Sequence, residues 1–344
     1  MRAVVLHGPE KLSVDTVADP KILAPTDAIV RVTHSAICGA DLHPYHGHAP
    51  GFESGTVLGH EFVGTVVERG AAVTSVEIGQ RVVNTSMTSD GSCIHCRAGR
   101  FTQCDDRSLF GYSGIYPRLD GGQADFVRVP MANRSLFAVP DGVSSNDAVF
   151  VADILPTGFA AVQRSGATNA DVVVVLGCGP VGLMAVMCAV GPARAVVAVD
   201  GIAVRRELAE KLGAQSVTPE AAADLVNNLT HGLGADAVIE ASGSPHALQA
   251  AFGLTRAQGV ISVVGAHFEP DFPIDNGVMF AKELSLVFSI GNPTRDREKL
   301  MDAVLAGKFT PSQILTHSIS IDDAVHAYER FDAKEMTKVI LTTE

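Results

Sequence analysis

The chain has 344 residues, 47% of them hydrophobic and 19% charged, which supplies apolar material for two well-buried domains. Its 38 acidic against 26 basic side chains give a net charge of −12 with no Lys/Arg cluster, which excludes a surface built to hold nucleic acid. Residues 1–7 turn polar too soon for a secretory h-region, and the apolar stretch 172–199 is interrupted by Gly177, Gly179, Pro180, Gly182, Gly191, Pro192 and Arg194, so no membrane segment is expected.

Residues 1 to about 150 are predicted to be β-rich, with short runs at 28–33, 62–68, 81–84 and 124–129 bounded by Gly, Pro and Asp. Within them, Cys38-Gly-Ala-Asp41-Leu-His43 and Gly59-His60-Glu61 gather a thiol, imidazoles and carboxylates. Cys and His together suit Zn²⁺, which takes about three protein ligands in a catalytic site and keeps one position open. The remaining histidines of this region, His34, His46 and His48, are expected in loops. Three of the six cysteines, Cys93, Cys96 and Cys104, follow a C-x2-C-x7-C spacing. In a chain of this length without a leader, that cluster reads as metal binding in a reducing cytoplasm rather than as disulfides.

From about residue 155 the texture changes. The continuous apolar run 172–176 predicts a fully buried parallel strand, followed by a helix to about 190, a strand at 195–200 and a charged helix at 204–212. Further strands are expected at 237–241 and 260–264, which completes the rhythm of a doubly wound α/β fold. Gly177-Cys-Gly179-Pro-Val-Gly182 sits between the first strand and its helix, the context required of a dinucleotide fingerprint. Asp200 ends the second strand, where a carboxylate accepts hydrogen bonds from a ribose diol and repels a 2′-phosphate. NAD is therefore expected over NADP, with Arg205 and Arg206 nearby as the argument on the other side. After about 290 the pattern turns mixed again, with a helix at 322–331 and a closing strand at 338–342.

With these motifs in place, the chain resembles the zinc-containing medium-chain alcohol dehydrogenase family over essentially its whole length. The resemblance rests on Gly59-His60-Glu61, Gly121-Gly122-Gln-Ala, the fingerprint and the C-terminal Lys338-Val-Ile-Leu. It implies a GroES-like catalytic domain from 1–153 and 290–344, a Rossmann nucleotide domain at 154–289, and an active site in the cleft. It implies Asp153, four residues before the Thr157-Gly158 pair, as third catalytic zinc ligand beside Cys38 and His60, with Cys178 as the competing thiol. Asp41 is implied to orient His60, Glu61 to lie near the metal, Val181 and Thr157 to line the nicotinamide, and Lys338 to meet the pyrophosphate. A structural zinc is implied at Asp90, Cys93, Cys96 and Cys104, with His95 as the alternative fourth ligand and an emptied lobe as the alternative state.

The implied reaction is interconversion of an alcohol with an aldehyde or ketone by hydride transfer, with His43 at the end of a proton relay and a small molecule as substrate. Family members are homodimers or homotetramers. Ala40 departs from the pattern, since a Ser or Thr hydroxyl is usual there. Its methyl group keeps open a second chemistry, hydride delivery to a conjugated C=C or C=N bond. A nucleotide-binding protein without turnover is the non-enzymatic alternative.

Overall fold

The computed structural model describes residues 1–167, 171–267 and 271–343, and the chain divides into two compact units. The first comprises Met1–Asp153 and Asn292–Glu344, the second Ile154–Gly291, so the second boundary falls two residues after the expected 289. Among the described residues no helix is long and apolar enough to cross a membrane.

The first unit is built on a seven-stranded sheet. Its path runs His317–Ser320, Val339–Thr342, Ala28–Ile37, Phe62–Arg69, Arg81–Asn84 and Leu136–Ala138, with Phe126–Val129 paired to Ala28–Ile37 off that path. A smaller sheet pairs Leu12–Thr16, Arg2–Leu6 and Thr56–Val57. Alternation fixes which side chains enter the core: Ala28, Val30 and Val32 join Phe62, Val66 and Phe110 in one buried cluster. The strand predicted at 28–33 continues to Ile37, which places His34 in the sheet rather than in a loop. There its ring meets the Thr33 hydroxyl at 2.9 Å. His46 does lie outside the strands, and its Nε2 stands 2.9 Å from Asp332.

The second unit holds a six-stranded parallel sheet in the order Gln215–Val217, Ala195–Val199, Val172–Leu176, Ala235–Glu240, Thr255–Val263, Ser285–Phe288. Numbered along the chain this is 3-2-1-4-5-6, the doubly wound arrangement whose crevice opens where the order reverses beside strand 1. Every residue of Val172–Leu176 is buried. Burial of one such valine contributes about 1.5–3 kcal/mol relative to exposure, so the strand anchors the unit. Gly158 lets the helix Ile154–Ser165 close on Pro180–Ala189, for a Cβ there would sit 2.5 Å from Ala185 N.

Candidate metal centres and nucleotide site

Cys38 emerges directly after the strand Ala28–Ile37, and His60 and Glu61 occupy the turn ahead of Phe62–Arg69. Asp153 follows the buried single turn Val149–Ala152, which is tied down by a bond from Ser86 N to Ala152 O at 3.0 Å. Donor atoms of Cys38, His60, Glu61 and Asp153 all lie within 4.8 Å of one another. Asp153 is fixed by Ser86, whose hydroxyl donates to Oδ1 at 2.9 Å, while Oδ2 lies 3.6 Å from His60 Nε2. On the other side of the ring, His60 Nδ1 is 3.1 Å from Asp41 Oδ1 but off hydrogen-bond angle, so the pair is an electrostatic contact. Asp41 itself is positioned by Cys38 N at 3.0 Å and by Gln123 Nε2 at 3.4 Å.

Gln123 enters the sequence reading only within Gly121-Gly122-Gln-Ala, without a role of its own. It accepts from the buried Tyr328 hydroxyl at 2.8 Å and so links the helix Ala324–Asp332 to Asp41. Its place after Gly121-Gly122 was the available signal: a Cβ on Gly59 would lie 2.5 Å from Gln123 Cγ.

The electrostatics suit a cation. Burial drives the Cys38 thiol up, with Glu61 adding to it, so an ionised sulfur there needs a compensating charge. Burial opposes protonation of His60, yet Asp41 and Cys38 outweigh it and raise its pKa. Burial likewise raises Asp153, but the bond and charge of His60 prevail and lower it. Three donors of N, S and O type turned toward one another in a buried site fit zinc, as does Glu61 Oε1, which is buried with no hydrogen-bond partner.

Lys338 corrects an expectation. It is fully buried, and its ammonium bonds Glu61 Oε2 and, at 3.1 Å, Ile37 O. A side chain so enclosed beside the metal cluster is not available to a pyrophosphate. Burial works against its charge, but Glu61 prevails and raises its pKa. Burial also pushes the Glu61 carboxyl up to about 7 against the pull of Lys338. Direct contact with the Glu61 carboxylate favours the Lys338 ammonium.

His43 is half-buried, and burial followed by the charge of His48 lowers its pKa, with Asp41 opposing. Ala40 brings only a methyl group, and its carbonyl already accepts from the Tyr112 hydroxyl.

The second cluster comes from one loop. Asp90, Cys93, Cys96 and Cys104 also lie with donor atoms within 4.8 Å. Cys104 Sγ accepts from Asp90 N at 3.3 Å and Cys93 Sγ from Cys96 N at 3.4 Å, contacts that favour thiolates. Asp90 Oδ1 takes the N–H groups of Ser92 and Cys93 at 2.7 and 3.1 Å, which holds its pKa well below the usual carboxylate range. His95 stands outside the cluster, 3.4 Å from the Arg100 side chain. The residues fit a closed structural zinc.

In the second unit Gly177 adopts φ +91°, and a Cβ on Gly182 would lie 1.8 Å from Gly177 O, so both positions demand glycine. A Cβ on Gly179 would meet nothing within 4 Å, which leaves an open cradle at the start of the helix Pro180–Ala189. That cradle fits a pyrophosphate. Asp200 accepts from Cys178 N at 2.8 Å and Ile202 N at 2.7 Å, and so braces the fingerprint turn. Ile202, not Asp200, occupies the position just ahead of the following helix. Arg206 donates to Asp200 O at 2.8 Å, and Arg205 lies 3.9 Å from its carboxylate. Burial, then Asp200, pushes the Cys178 thiol up to about 12, which makes it a packing group. Val181 and Thr157 are half-buried in their helices, and a Cβ on Gly291 would lie 2.3 Å from Thr157 Oγ1.

Comparison with known proteins agrees with this geometry. The Alcohol dehydrogenase GroES-like domain family matches residues 24–141, and the Zinc-binding dehydrogenase family matches 180–306. Zinc-type alcohol dehydrogenase B of Aspergillus flavus is 37% identical over 99% of this chain and 81% of its own length. The chain belongs to the zinc-containing medium-chain alcohol dehydrogenase family. Alcohol dehydrogenase TADH from Thermus sp. ATN1 superposes with a TM-score of 0.94 at 35% identity, covering 99% of each chain. A zinc-binding dehydrogenase from Sinorhizobium meliloti 1021, solved with NADP, is 30% identical with a TM-score of 0.87, covering 99% of this chain and 98% of its own. This dehydrogenase is thus an oxidoreductase that works with zinc and a nicotinamide dinucleotide.

Proposed function

We propose that this dehydrogenase interconverts an alcohol with an aldehyde or ketone, using NAD(H), with Cys38, His60 and Asp153 as catalytic zinc ligands. The observation that carries the reading is the convergence of those three donors, two of them buried and Asp153 half-buried, within 4.8 Å of one another. When bound, zinc polarises the substrate oxygen and the nicotinamide exchanges the hydride. Cys38, His60 and Asp153 hold the position, and Asp41 keeps the His60 ring oriented from behind. Glu61, anchored by Lys338, keeps one oxygen beside the ligands. His43, which burial keeps in its neutral form, accepts the proton on its way out. Ala40 leaves the step between substrate and His43 without a side-chain hydroxyl, and an ordered water, immobilised at about 0–2 kcal/mol, fills that gap.

In the nucleotide unit, Gly177, Gly179 and Gly182 shape the pyrophosphate cradle, Asp200 retains lone pairs for a ribose diol, and Val181 and Thr157 line the nicotinamide. The buried carboxylate at Asp200 supports NAD over NADP, although the Sinorhizobium relative holds NADP. Asp90, Cys93, Cys96 and Cys104 form the structural zinc site. A homodimer or homotetramer in the cytoplasm completes the reading.

The test is a panel of primary, secondary and polyhydric alcohols with NAD⁺ and with NADP⁺ on zinc-replete protein, run beside Asp153→Ala. Oxidation with NAD⁺ that falls at least about 100-fold in the variant is expected, beyond the range seen for loss of an outer-shell partner. Reduction of conjugated alkenes without any alcohol turnover would overturn the assignment.

A further inference from the structure

The strand Ala235–Glu240 is apolar over its last residues until it ends in a buried carboxylate. Glu240 is fully buried and stands in register with Leu176, the residue before Gly177. Its Oε1 accepts from Ser242 N at 2.8 Å, Ser242 Oγ at 2.6 Å and Gly243 N at 3.0 Å. Its Oε2 is 3.0 Å from Nε2 of His267, whose side chain is only 4% exposed. The Glu240 carbonyl takes Val264 N at 2.8 Å and Gly265 N at 3.0 Å. One residue therefore ties the turn after its own strand to the turn after Thr255–Val263. The fit is close: a Cβ on Gly265 would lie 2.2 Å from Gly243 N and 2.7 Å from Glu240 Oε2, and one on Gly177 would lie 2.7 Å from Ser242 Cβ.

Sheet order gives this junction its direction. The strand that leads into the fingerprint lies between the strand Ala195–Val199, which Asp200 follows, and the strand that ends in Glu240. A dinucleotide with its pyrophosphate on the fingerprint and its adenosine ribose at Asp200 extends its other half over the turns that Glu240 and His267 hold. We propose that the Glu240–His267 pair is a positioning device that presets these two turns for the nicotinamide half of the cofactor. The proposal rests on the dinucleotide reading above. An apolar pair of equal bulk would serve stability as well, so the ionisable pair is explained by the fixed loop geometry, which reduces the ordering needed on binding.

The test titrates the zinc-loaded enzyme with NADH and, separately, with 5′-AMP, which carries only the adenosine half. His267→Leu is expected to weaken NADH about tenfold while AMP changes less than about twofold, and His267→Gln, which keeps a donor, is expected to recover most of the loss. Equal weakening of both ligands, or of neither, overturns the positioning role. Should His267→Leu fail to fold, Glu240→Gln takes its place and is expected to weaken NADH more than AMP, and equal weakening of both ligands, or of neither, overturns the role. A wild type that binds AMP and NADH no better than a protein without the fingerprint sinks the dinucleotide reading itself, and the inference with it.

Discussion

Asp90, Cys93, Cys96 and Cys104 come from one short, half-exposed loop, whereas Cys38, His60, Glu61 and Asp153 are drawn from three separate parts of the first unit, all of them buried but the half-buried Asp153. In the loop, the carboxylate is held by its own neighbours, Ser92 and Cys93. In the dispersed cluster, three of the four donors are held from a distance: Asp153 by Ser86, His60 by Asp41, and Glu61 by Lys338. A local cluster is set by sequence spacing and loses little beyond itself when disturbed. A dispersed one is set by the fold, so damage there reaches the core.

The largest expected effect follows from that coupling. Lys338→Met leaves the fully buried Glu61 without its cation, and removal of one partner of a buried pair costs about 3–5 kcal/mol. Denaturant unfolding of the metal-free protein should register that loss, and Glu61→Gln combined with Lys338→Met should recover more than half of it. A single variant as stable as wild type would mean that the pair does not tie this cluster to the core.

The loop gives a smaller and more confined effect. Asp90→Ala should lower zinc from about two per chain to about one, with at least about 100-fold weaker retention of the lost ion against a chelator. Alcohol turnover should stay within a few-fold, and the thiols of Cys93, Cys96 and Cys104 should become reactive. Retention of both ions would instead mean that the three cysteines hold zinc without the carboxylate.

The same contrast explains what was legible in the sequence. The Cys93, Cys96 and Cys104 spacing identified its loop directly, because ligands near in sequence are near in space. The all-valine run 172–176 and the glycines at 177, 179 and 182 were equally plain, since buried parallel strands and tight turns restrict residue choice. Asp153 needed the resemblance, because a lone carboxylate after a buried turn carries no spacing to Cys38 or His60. Lys338 was misplaced for the same reason. A lysine at the start of a closing strand reads as solvated, and only the antiparallel pairing of Val339 with Ile37 brings it to Glu61. Glu240 and His267 escaped notice, and Gln123 was quoted without a role, as polar residues whose partners lie on other elements.

The smallest expected effect probes the proton exit, where neither cluster supplies a ligand. Burial, and then the charge of His48, displace the His43 pKa below its ordinary 6.5, against the pull of Asp41. Between the folded value and 6.5 the unfolded chain binds more protons than the folded one, so stability rises with pH there. The contribution is intact above 6.5 and is lost as pH falls through the folded value. The same displacement keeps the ring able to accept a proton below 6.5, so the acid limb of kcat/KM for alcohol oxidation should lie under that pH. His43→Gln should erase the limb and slow turnover by roughly tenfold, less than the ~10²-fold of a base that touches the reacting atoms. Ala40→Thr, which places a hydroxyl next to the proposed exit, should raise turnover above wild type only while His43 is present. An acid limb at or above pH 6.5, or one that survives His43→Gln, would place the proton exit elsewhere in the first unit.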